Sequence, residues 1–187
     1  MLIGNQLAQE HGGTVVSAFK AAYSGGINIT FGAANKDHDP ITGKPTGNDF
    51  NHPNAGPGCQ SPILDSGGCT TSPTQIDFWT MAGDGDSYGN ELTNDIYNAV
   101  HEFGHAYDYG HGYPSNGSYG ILSRAALRGN GIGECCMFQQ HPPSMNANGD
   151  ENQGELYADT FLAWTLNAWN TSPLYQNAVG LAQGYMP

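Results

Sequence analysis

His101, Glu102 and His105 stand in the order His101-Glu102-Phe103-Gly104-His105, an HExxH motif. Residues four apart share one face of a helix, so the two imidazoles can grip a single ion. Glu102 sits beside them and can handle protons. The chemistry such a set performs is zinc-assisted hydrolysis. The bland alternative is a helix with surface histidines. A catalytic zinc needs three protein ligands and one open position, so the rest of the chain has to supply a third ligand.

Three residues compete for that place. Glu155 can complete a His-His-Glu set from a downstream helix. Asp159, one turn later, can then accept the second N–H of a ligand imidazole, which fixes its tautomer and raises its basicity. His111 lies ten residues after His101, the spacing of the extended motif HExxHxxGxxH, with Asp108 where that motif has glycine. Met145 would then be offered as the methionine turn. The third option is Asp159 itself as ligand, with Glu155 a bystander favoured at a helix N-terminus.

The elements that must position these groups follow from periodicity. Residues 5–23 repeat apolar side chains near the helical period, with Gly12 and Gly13 breaking off a short first piece before a main helix from Thr14. Ile27, Ile29 and Phe31 alternate with polar residues and predict a strand with one buried face. Residues 33–73 are rich in Pro, Gly, Asn and Asp and predict one long loop, cross-linked through Cys59 and Cys69. Residues 74–81 predict a second strand just ahead of the motif helix. In a zinc peptidase that place borders the cleft, so substrate is expected extended along Ile76 to Met81 by strand addition. The motif helix is expected over 90–109, with Leu92, Ile96, Ala99, Val100, Phe103 and Ala106 as its apolar stripe. A second strong helix is expected from Gly154 to Trp169, and a weaker one from Leu174 to Gln183.

Composition narrows the class. The chain has 187 residues, which suits one domain over 1–187. No apolar run is long enough to span a bilayer. Five Lys and Arg stand against 17 Asp and Glu, for a net charge of −12. That balance argues against nucleic acid and anionic membranes as partners. A Lys-poor, Gly-rich surface suits a secreted protein, whose leader would precede this sequence because Met1 to Asn5 lacks signal-peptide character. Sequons at Asn28, Asn116 and Asn170 fit that compartment. So do disulfides among Cys59, Cys69, Cys135 and Cys136, whose connectivity the sequence does not choose. Asp37, Asp39 and Asp49, or Asp84 and Asp86, could bind Ca2+, although solvated carboxylates are the plainer reading.

His101-Glu102-Phe103-Gly104-His105-Ala106-Tyr107-Asp108, followed by Glu155-Leu156-Tyr157-Ala158-Asp159-Thr160-Phe161, resembles the catalytic domain of the anthrax lethal factor-like group of gluzincin metallopeptidases. That group includes the Pro-Pro endopeptidases. Its pattern is HExGHxxD, then a glutamate helix of form E-x-x-A-[ED]-x-F. The resemblance implies an α+β, zincin-like single domain, a small mixed sheet with an active-site helix and a glutamate helix. It implies Zn2+ held by His101, His105 and Glu155, with Glu102 as general base and Asp159 behind a ligand histidine. Relatives carry a transition-state tyrosine shortly before the ligand glutamate. Residues 144–154 hold none, which leaves Tyr119, Tyr113 or His141 for that role.

The expected protein is thus a secreted, monomeric zinc endopeptidase acting on a peptide or protein substrate. A metal-activated water would attack the scissile carbonyl, with Glu102 as base. The rivals are a metzincin-type peptidase using His111 and a non-catalytic binding module on a zincin fold.

Overall fold

A computed structural model describes residues 1–32, 68–79, 91–112 and 153–187. Its elements in chain order are α1 (Leu2–His11), α2 (Val15–Ala22), β1 (Asn28–Gly32), β2 (Gly68–Ser72), β3 (Gln75–Trp79), α3 (Glu91–Gly110) and α4 (Gln153–Leu166). A 3-10 turn (Pro173–Tyr175) and α5 (Gln176–Gln183) follow. The arrangement is α+β and rich in helix.

Local chemistry explains most of the boundaries. Gly12 and Gly13 both hold positive φ and separate α1 from α2. Thr14 then opens α2 with a capping box, exchanging hydrogen bonds with Ser17. α3 closes on Gly112, whose φ of 80° is the usual left-handed helix stop. α4 ends three residues before the expected Trp169, because Asn167 takes a φ of 50°. Asn tolerates that region better than other residues with a Cβ.

The sheet among the described residues has the order β1-β3-β2. β1 pairs with β3 in parallel, and β2 pairs with β3 in antiparallel across a tight turn at Pro73 and Thr74. Two expectations change here. The C-terminal end of the long loop, Gly68–Ser72, is a strand. Nothing in Gly-Cys-Thr-Thr-Ser alternates apolar and polar, so the pairing with β3 supplies what periodicity does not show. β3 is also not a sheet edge. Both of its sides are hydrogen-bonded, and Ile76 is fully buried. Strand addition along Ile76–Phe78 therefore has no free backbone to use, while Thr80 and Met81 of the expected stretch lie outside the described residues.

α4 is the centre of the core. Every residue from Leu156 to Thr165 is buried, so the helix is covered all round. Ile3 and Leu7 of α1, Tyr23, Ile76, Val100, Ala106 and Met186 gather about it in one cluster. On the motif helix, Val100 and Ala106 are buried as expected, while Ile96 is exposed. Tyr23 packs edge-on to Phe103 and Tyr107 and donates its hydroxyl to the Phe103 carbonyl at 3.0 Å. This ties the segment after α2 to α3. Among the described residues no helix is long and apolar enough to cross a membrane.

Candidate metal centre

α3 and α4 touch where α3 has no side chain. A Cβ on Gly104 would stand 2.9 Å from Ala158 Cα and 3.0 Å from Phe161 Cβ. The first is an approach to backbone that real Cβ atoms essentially never make, and the second is tighter than almost all real contacts. The bare glycine thus lets the helices cross at close range. His101 and His105 lie one turn apart around that crossing on α3. Glu155 and Asp159 lie one turn apart around Ala158 on α4. Two i, i+4 pairs, each astride the contact point, are brought face to face.

The resulting geometry is tight. His101 Nδ1 lies 2.8 Å from Asp159 Oδ1, and His101 Nε2 lies 3.0 Å from Glu155 Oε2. His105 Nε2 is 3.1 Å from His101 Nε2 and 3.3 Å from Glu155 Oε2. Asp159 is completely buried, His101 nearly so, and Glu155 reaches the surface slightly. With Asp159 ionised, its partner Nδ1 carries the proton, which leaves Nε2 of a neutral His101 as a lone-pair nitrogen. That lone pair then faces a second nitrogen and a carboxylate oxygen. Three electron-rich atoms this close need positive charge among them, either protons on the imidazoles or a cation.

The residues fit a zinc ion. Two donors each about 2.0–2.1 Å from one ion, in tetrahedral array, stand about 3.3 Å apart. The three donor atoms form a triangle with sides of 3.0, 3.1 and 3.3 Å. Among the described residues, His101, His105 and Glu155 are the group of His, Cys, Asp and Glu side chains near enough to hold a metal. The donor set of two imidazoles and one carboxylate suits zinc.

Electrostatics agree with this crowding. Burial alone would lower the pKa of His101, but Asp159 and then Glu155 overcome it and hold it well above the ordinary imidazole value. Burial likewise pulls His105 down, and Glu155 outweighs it, so its pKa is also raised. Burial pushes the Asp159 carboxyl up against the pull of His101. Without a metal, then, the site holds protons that a metal would displace.

Glu102 is buried but belongs to a different contact. Thr70 of β2 places its hydroxyl oxygen 2.7 Å from Glu102 Oε2 and 2.8 Å from the Glu102 backbone oxygen. Nothing in the sequence points to Thr70, which lies in a stretch without strand periodicity. The role of Gly104 was equally hidden. Its sequence sign is the glycine of the HExGHxxD pattern, which does not by itself say that the residue meets Ala158.

His111 is not brought to this group. The extended-motif reading needs the chain to leave the helix at Asp108. The helix instead continues through a fully buried Asp108 to Gly110. Six residues at about 100° each carry His111 roughly 240° round the axis from His105. There it is exposed, donates Nδ1–H to Tyr107 O at 2.9 Å and stacks on the Tyr107 ring at 3.8 Å. Tyr113, Tyr119, His141 and Met145 lie outside the described residues. So do Asp37, Asp39, Asp49, Asp84 and Asp86. Cys69 contributes its backbone to β2, and Cys59, Cys135 and Cys136 lie outside the described residues. No protein-family model matches the chain, and comparison with curated proteins and with solved structures gives no match.

Proposed function

We propose that this chain is a zinc-dependent endopeptidase of gluzincin type, on a zincin-like fold, with His101, His105 and Glu155 as the metal ligands. The observation that carries the reading is the convergence of His101 Nε2, His105 Nε2 and Glu155 Oε2 within one another's reach, beside a separately anchored Glu102. Its resemblance to the lethal factor-like group rests on the same residues. A zinc ion held there supplies Lewis-acid polarisation of a carbonyl and a water of lowered pKa.

The chain's own residues do the rest. Asp159 holds His101 in the tautomer that presents Nε2 to the site. Glu102 takes a proton from the attacking water and returns it to the departing amine. Tyr119 or His141 donates to the developing oxyanion. The substrate is a peptide or protein, and neither nucleic acid nor membrane is a partner. The protein acts as a secreted monomer.

The test is Glu102→Gln. The expected variant binds zinc as the parent does and loses about 10²–10⁴-fold in turnover of a peptide library. Zinc is counted by elemental analysis and cleavage by mass spectrometry. Full peptidase activity in that variant would end the assignment of the base. Zinc bound by the parent chain with no cleavage of any peptide would favour a non-catalytic module on the same scaffold.

A further inference from the structure

The only described side chain that bonds the Glu102 carboxylate comes from outside α3. We propose that Thr70 is a positioning residue: its hydroxyl fixes the Glu102 carboxylate in the place of a general base. The inference rests on the peptidase reading of Glu102. Three observations converge on it. Thr70 and Glu102 are both buried, at 7% and 3% exposure, so neither polar group is served by bulk water. The hydroxyl oxygen lies within 2.8 Å of two oxygens of the same residue, one on the side chain and one on the backbone. That double contact fixes the carboxylate relative to its own helix. Glu102 is also absent from the cluster of ligand atoms, although it is next in sequence to His101. A carboxylate free to swing could join that cluster as a further ligand and cease to act as base.

The hydroxyl has one proton and two acceptors. While Glu102 is a carboxylate, Thr70 donates to Oε2. Once Glu102 has taken the proton of the attacking water, the hydroxyl can turn to the backbone oxygen without losing its bond. Thr70 keeps its own proton throughout, and the proton from water leaves on the amine. A serine can make both bonds, whereas valine, equal to threonine in shape, can make neither.

The experiment combines steady-state kinetics with unfolding of the intact chain. Thr70→Val is expected to lower kcat by about tenfold or more with KM within about twofold, since small misplacements of a reacting group cost rates of this order. Thr70→Ser is expected to restore most of kcat. Zinc content should match the parent in both. Independently of activity, a double-mutant cycle of Thr70→Val with Glu102→Ala reads the contact in denaturant unfolding. It should show a coupling of about tenfold in the unfolding constant, as for a hydrogen bond to a charged group. Absent coupling, an unchanged kcat in Thr70→Val, or a folded Thr70→Ser that fails to recover kcat would each overturn the proposal and leave Thr70 as packing between β2 and α3. If the zinc-loaded parent cleaves no peptide, the peptidase reading falls and the positioning role falls with it, while the cycle still reports whether the bond exists.

Discussion

His105 lies inside α3 and His111 one residue beyond its end, and the two meet different surroundings. His105 is buried at the crossing with α4, its Nε2 aimed at another imidazole and a carboxylate. His111 is exposed, and its Nδ1–H is spent on a carbonyl of its own helix. Both are histidines at metal-ligand spacing from His101. What separates them is the second helix. Spacing along α3 decides which face a side chain takes, and the approach of α4 decides which face becomes a site.

Gly104 is where that comparison can be broken most directly. Gly104→Ala adds a Cβ against Ala158 Cα and Phe161 Cβ, which have no flexible end to move aside. The helix itself gains about 1 kcal/mol from alanine's better propensity. Overpacking of a tight core costs about 1–3 kcal/mol and occasionally more, and contact with backbone puts this site at the upper end. We expect a net loss of about 2 kcal/mol in denaturant unfolding, together with weaker zinc binding as the ligand pairs part. A variant with parental stability and zinc affinity would show that the crossing does not set the site.

Asp159→Asn sharpens the same point without moving the helices. The carboxylate behind His101 is replaced by an amide of similar size, and zinc affinity should fall about 10–100-fold. Its pH signature has a definite sign. The folded pKa values of His101 and His105 are raised. In the metal-free protein their stabilisation is therefore fully present below the unfolded value of about 6.5 and lost as pH rises through the raised folded values. Zinc needs both nitrogens neutral, so its affinity climbs over that same range and its binding releases protons. Calorimetry in two buffers of different ionisation enthalpy should count more protons released near pH 7 by the parent than by Asp159→Asn. Equal counts would mean that Asp159 does not govern His101.

Much of this was legible in the chain. The HExxH spacing placed two imidazoles on one face of α3, and Glu155 and Asp159 four apart placed two carboxylates on one face of α4. Those are short-range facts that a helix period reveals. The closeness of the two faces was not legible, because it depends on a glycine meeting an alanine 54 residues away. β2 was hidden for a similar reason. Its five residues have no alternation of their own, and only β3 makes them a strand. With β2 hidden, Thr70 could not be seen to reach Glu102. β1 and β3 are both legible as strands, but without β2 the sequence leaves one side of β3 open and so reads it as an edge.

The smallest expected effect completes the comparison. His111→Ala removes a ring that is exposed and stacked on Tyr107. Exposed substitutions of this kind usually stay within about 0.5 kcal/mol. The lost hydrogen bond runs to Tyr107 O, which also accepts from the His111 backbone N–H at 3.1 Å, so no acceptor is stranded. Zinc affinity and peptide turnover should both match the parent. The metzincin alternative demands the opposite, because removing one of three ligands would abolish metal binding. Titration of the variant with zinc therefore separates the two ligand sets in one measurement. A large loss of affinity would mean that the end of α3 rearranges to bring His111 to the metal, and that Glu155 is not the third ligand.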